Sequence, residues 1–97
     1  MLTAKQLKAE YQRRCTVDLL GEDSDDACNV HILCSALAEL GQDVRVDEMV
    51  AHANWLAEAG LVEIVHRDPP MTVRATRRGH HVAVGDIDVR GVARPLR

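Results

Sequence analysis

The sequence predicts a mainly α domain with a β-hairpin, ordered α-α-α-β-β-α and followed by an extended C-terminal tail. Three observations carry this. Apolar residues recur at three- and four-residue steps in three segments that end at Gly21, Gly41 and Gly60. After Gly60 the period drops to about two, on both sides of a Pro-Pro pair. The 97 residues include one Trp, one Tyr and no Phe, so the core must come from aliphatic side chains that suit packed helices.

Each element has its own signal. Thr3 with Gln6 three residues on makes a capping-box pattern, opening a helix to about Leu20. Leu7, Tyr11 and Cys15 form its expected stripe, with Val17 and Leu20 beside it, and Gly21 is its expected stop. Residues 21–26, Gly-Glu-Asp-Ser-Asp-Asp, read as an acidic loop with nothing to bury. Asn29 is a good N-cap for a second helix, whose stripe is Val30, Leu33, Leu37 and Leu40, with Gly41 as the left-handed exit. A turn over Gln42–Val46 leads to a third helix, from Val46–Asp47 to Ala59, burying Met49, Ala53 and Leu56. Two helices joined by a tight Gly-containing turn match a helix-turn-helix unit. Leu61–Val65 and Met71–Ala75 read as paired strands around the turn Arg67-Asp68-Pro69-Pro70. Thr76 then caps a short helix, Arg77 to Val84, closed by Gly85. This gives a domain over 1–85 and an extended basic tail over 86–97.

Bulk properties narrow the function classes. The net charge is −3, spread unevenly. Residues 1–26 hold four bases against six acids, 27–60 one against five, and 61–97 seven arginines against four acids. An acidic middle and a basic C-terminal third point to an anionic partner for the latter. The three cysteines, the lack of an apolar leader and the absence of a membrane-length stretch point to free thiols and a cytoplasmic setting.

The order helix, helix, turn, helix, hairpin is that of the winged helix. Ala53-Asn54-Trp55-Leu56-Ala57-Glu58-Ala59-Gly60-Leu61-Val62 resembles the end of an ArsR-type recognition helix. A wider likeness rests on Leu19-Leu20, Ala36-Leu37-Ala38-Glu39-Leu40-Gly41, Trp55-Leu56-Ala57-Glu58, Thr76-Arg77-Arg78-Gly79 and Gly91-Val92-Ala93-Arg94-Pro95. Together these are similar to the small winged-helix proteins of Mu-like phages and prophages. The resemblance implies a phage or prophage origin and a DNA-binding or regulatory role presumed from the fold.

Under that resemblance, the third helix enters the major groove. Its expected outward face is Asp47, Glu48, Ala51 and His52, edged by Asn54, Trp55 and Glu58, with no Lys or Arg. Acids there repel phosphate, so contacts are expected from Arg45 at the helix entrance, from His52 and Asn54, and from Arg67, Arg74, Arg77 and Arg78 on and after the hairpin. Arg90, Arg94 and Arg97 line the tail. The plain alternative is that these arginines solvate an exposed hairpin. The rival function is a protein-interaction module with Trp55 as its anchor, unless the hairpin, the first helix or a second copy covers that ring. A homodimer is expected. Cys28, His31 and Cys34 are spaced as loose metal ligands, but Cys34 sits at the edge of the second helix's stripe, where a small thiol packs. His80 and His81 point apart on a helix. Glu22, Asp23, Asp25 and Asp26 lack the ligand alternation of a calcium loop. No base and orienting group surround Cys15, Cys28 or Ser35. No cofactor, metal or enzyme activity is expected.

Overall fold

A computed structural model describes residues 1–22 and 27–95. The order is α1 (Ala4–Glu22), β1 (Cys28–Asn29), α2 (Val30–Glu39), α3 (Val46–Glu58), β2 (Val62–His66), β3 (Thr72–Ala75) and α4 (Arg77–Ala83). The expected acidic loop, beyond Gly21 and Glu22, lies outside the described residues, as does Arg97.

The capping box forms as its spacing demands: the Gln6 N–H donates to Thr3 Oγ1 (3.1 Å) and the Thr3 N–H to Gln6 Oε1 (2.8 Å). The helix continues through Gly21, which is therefore a packing residue and not a stop. A Cβ at Gly21 would stand 2.5 Å from Ala83 Cβ, so the glycine lets α1 and α4 touch. The expected α1 stripe needs correction. Leu7 is exposed, whereas Gln12, Arg14, Cys15, Thr16, Val17 and Leu20 are buried. The first turns of α1 project beyond the core, and the C-terminal half is covered on most sides by α2, α3 and α4.

Asn29 caps α2, its side chain accepting from the Ile32 N–H at 3.0 Å. Leu40, expected in the stripe, is the C-cap and exposed. Gly41 and Gly60 take the left-handed exits with φ of 80° and 78°. The hairpin β2–β3 is joined by a third strand that the sequence did not suggest. The two-residue β1 pairs antiparallel with β3, Cys28 opposite Val73 and Asn29 opposite Thr72, giving the order β1-β3-β2. Two residues are too few for any periodic signal.

Leu20, Leu33, Leu37, Met49, Leu56 and Leu61 are fully buried where the helices meet the sheet. Each contributes on the order of 1.5–3 kcal/mol by leaving water. Among the described residues the fold is thus four helices and a three-stranded antiparallel sheet around one aliphatic core. The described part of the expected tail, residues 86–95, has no helix or strand, and it packs against the domain. Val92 is 7% exposed, and the Ala93 N–H donates to Glu10 O at 3.1 Å, so the tail folds back onto α1.

Candidate functional site

α3 anchors the region where the expected site residues gather. At about 100° per residue, Met49, Ala53 and Leu56 define its core side. The opposite ridge is Asp47, Ala51, Asn54 and Glu58, of which Asp47, Ala51 and Glu58 are exposed and Asn54 half-buried. Of the expected outward face, Asp47, Glu48 and Ala51 are exposed and His52 is not. The cause is α1, which packs against the flank formed by Glu48, His52 and Trp55.

His52 is therefore a correction. It is 8% exposed, and its Nε2 lies 2.9 Å from Oε1 of the equally buried Gln12. Gln12 Nε2 in turn donates to Gln42 Oε1 at 3.3 Å. Burial lowers the His52 pKa below the ordinary 6.5; repulsion from Arg13 adds to this and attraction to Glu48 opposes it. The imidazole is a neutral structural link between α1 and α3, with no free face for a base edge. Sequence periodicity missed this because Gln12 and Thr16, its neighbours on α1, are polar residues on a buried face.

Trp55 is half-buried and has a cover after all. The Arg13 guanidinium lies 4.3 Å from its ring centroid, a cation–π contact. Arg13 Nη1 also donates to Gly91 O at 2.9 Å. Gly91 lies against the indole with φ of 99°, where a Cβ would meet Trp55 Cζ2 at 2.3 Å. Desolvation lowers the Arg13 pKa, partly offset by Glu10. The ring is thus covered in part by α1 and the tail.

The cations divide into paired and unpaired. Arg45 is exposed, but it pairs with Asp47 at 3.0 Å, which holds that carboxyl below its usual range. Glu48 Oε1 accepts from the Arg45 N–H at 3.0 Å and completes the box that opens α3. Arg74 on β3 pairs with Glu63 across the hairpin, its Nε donating to Oε1 at 2.9 Å. Its charge is spent on the cross-strand pair. Arg67, at the hairpin turn, donates to Asn54 Oδ1 at 3.2 Å and has no acid partner among the described residues. Arg77 and Arg78 open α4 and are exposed, and their side chains have neither hydrogen bond nor ion pair among the described residues. Arg78 borders the end of α3, its Cδ 3.7 Å from where a Cβ on Gly60 would stand.

Two clefts flank α3. Val30, His31, Val46, Val50, Arg67, Pro69, Pro70 and Met71 line one of about 220 Å³ beneath the hairpin. Lys5, Lys8, Ala9, Gln12, Glu48, Ala51 and His52 line one of about 340 Å³ against α1. Among the described residues no group of three or more His, Cys, Asp or Glu is placed to hold a metal, and no disulfide links the cysteines. Burial pushes the Cys15 and Cys34 thiols up, away from reactivity. No described helix is long and apolar enough to cross a membrane.

The chain is similar to the protein described as uncharacterized protein gp26 of Escherichia phage Mu, with 36% identity over 73 residues, 75% of this chain and 76% of that protein. No protein-family model matches it, and no solved structure does.

Proposed function

The chain belongs to the family of the phage Mu protein gp26, and from that footing we propose that it is a winged-helix DNA-binding protein with a regulatory role. In this reading α2 and α3 form the helix-turn-helix and β2–β3 is the wing. The α3 ridge faces base edges, where Asn54 suits adenine and the acid Glu58 suits the cytosine amino group. Affinity comes chiefly from Arg67, Arg77 and Arg78, which have no acid partner among the described residues. Arg45 and Arg74, each engaged by its own acid, contribute little.

One observation carries this reading. Arg67 is anchored on Asn54, which fixes an unneutralised cation from the hairpin turn at the edge of the α3 ridge. That is where a phosphate wall lies when a helix sits in the major groove.

The test is salt-dependent anisotropy on labelled duplex fragments of phage DNA. Binding is expected to weaken steeply with salt, and changing Arg67, Arg77 and Arg78 together to Ala should reduce the log–log slope by about 3. Undetectable binding at low salt, or binding indifferent to the triple substitution, defeats the reading. Sedimentation checks the proposed homodimer, which would present two wings.

The rival, a protein-interaction module, draws support from the largely apolar cleft beneath the hairpin more than from Trp55, whose ring is partly covered. A partner held there would be lost on Val50→Lys while DNA binding by the arginines persisted.

A further inference from the structure

We infer that Lys5 and Lys8 on α1 form a second phosphate-contacting site, on the side of α3 opposite the hairpin. The inference rests on the DNA-binding reading and adds a wall to it. A helix in the major groove lies between two phosphate backbones, about 12 Å apart across the groove. A wing supplies cations to one of them, so a binder with an acidic ridge needs a source for the other.

The placement follows from α3 itself. Val46, Val50 and Asn54 face the hairpin, whereas Glu48, Ala51 and His52 face α1. At about 100° per residue these two flanks are separated by roughly 150° around the helix. Lys5 and Lys8 line the cleft on the α1 flank together with Ala51 of the ridge. Both lysines are exposed, and neither has an ion pair or side-chain hydrogen bond among the described residues. They are held there because the first turns of α1, started by the Thr3–Gln6 box, run past the core alongside α3.

The arrangement has one opposing charge, Glu48, which lines the same cleft. Its Oε1 is turned back to the Arg45 N–H, so it is oriented by the cap and not toward the lysines. A glutamine there keeps the capping hydrogen bond and removes the charge. The sequence concealed the site because its two lysines stand in the N-terminal segment whose net charge is negative.

The experiment uses the full chain and a fluorescein-labelled duplex of about 30 base pairs with no chosen operator, because phosphate contacts are sequence-independent. Lys5→Gln with Lys8→Gln is expected to weaken binding several-fold and lower the salt slope by about 2, one unit per lost contact. Glu48→Gln is expected to tighten binding. Circular dichroism confirms that both exposed variants fold. If the lysine pair leaves affinity and slope unchanged while the Arg67, Arg77 and Arg78 variant loses both, the α1 site is refuted and DNA binding through the wing stands. If the unaltered chain binds no duplex at low salt, both fall together.

Discussion

Gly79→Ala puts the docking of α4 to a test whose sign is opposite under two lines of reasoning. Gly79 lies within α4, and in an exposed helix interior Gly→Ala stabilises by about 1 kcal/mol. Here the added Cβ would stand 2.0 Å from Leu61 O, 3.1 Å from Leu61 C and 3.5 Å from Ala75 Cβ. The first of these is backbone, so the neighbour cannot swing aside and α4 must move. Such overpacking costs roughly 1–3 kcal/mol by itself. The move also strains what ties α4 down: the Thr76 N–H to Leu61 O bond at 3.0 Å, and Arg14 Nη2 donating to Val82 O and Ala83 O at 2.9 and 3.0 Å. Arg14 is only 4% exposed, and each bond to its charged group that is lost costs about 1.5–3 kcal/mol. A net destabilisation of about 3 kcal/mol is expected, a drop in Tm of roughly 12–24 °C for a domain this size. Urea unfolding followed by circular dichroism reads it. An unchanged or higher midpoint, as helix propensity alone requires, would refute the close seating of α4 on Leu61.

Two further outcomes follow from the buried polar contacts. Gly91→Ala meets both a left-handed φ of 99° and the Trp55 ring, so the described tail should lift from the indole; the Trp55 emission is expected to shift red, and unchanged emission would mean that the ring is not covered by the tail. His52 links folding to pH. Its folded pKa lies below the ordinary 6.5, so its contribution is fully present above 6.5 and is lost as pH falls below that value toward the folded pKa. Stability measured by urea titration should therefore decline on acidification from neutrality, and His52→Gln should flatten that decline; an equally steep profile in the variant would remove His52 as the cause.

The sequence by itself determined the order of the helices and of the hairpin strands β2 and β3, though not the two-residue β1, because that order is written in local signals. The Thr3–Gln6 box, the Asn29 and Thr76 caps and the exits at Gly41, Gly60 and Gly85 are read within a few residues, and all form. The apolar triad Met49, Ala53 and Leu56 was legible for the same reason. What a face touches is a property of another element, and only the tertiary structure decided it. Gln12, Arg14 and His52 look like surface residues until α1 is packed between α3 and α4, where each finds its hydrogen bonds. The arginines of the basic third looked equivalent, yet Glu63 neutralises Arg74, while Arg67, Arg77 and Arg78 remain unneutralised among the described residues. The two motifs that carried the phage resemblance also gain a physical reason. In Thr76-Arg77-Arg78-Gly79 the threonine caps α4 and donates to Gly60 O, and the glycine admits Leu61. In Gly91-Val92-Ala93-Arg94-Pro95 the glycine meets Trp55 and the valine is buried. Both motifs record how distant parts of the chain close on one another. Side-chain partners more than 60 residues apart leave no periodic trace, and the fold alone brings them together.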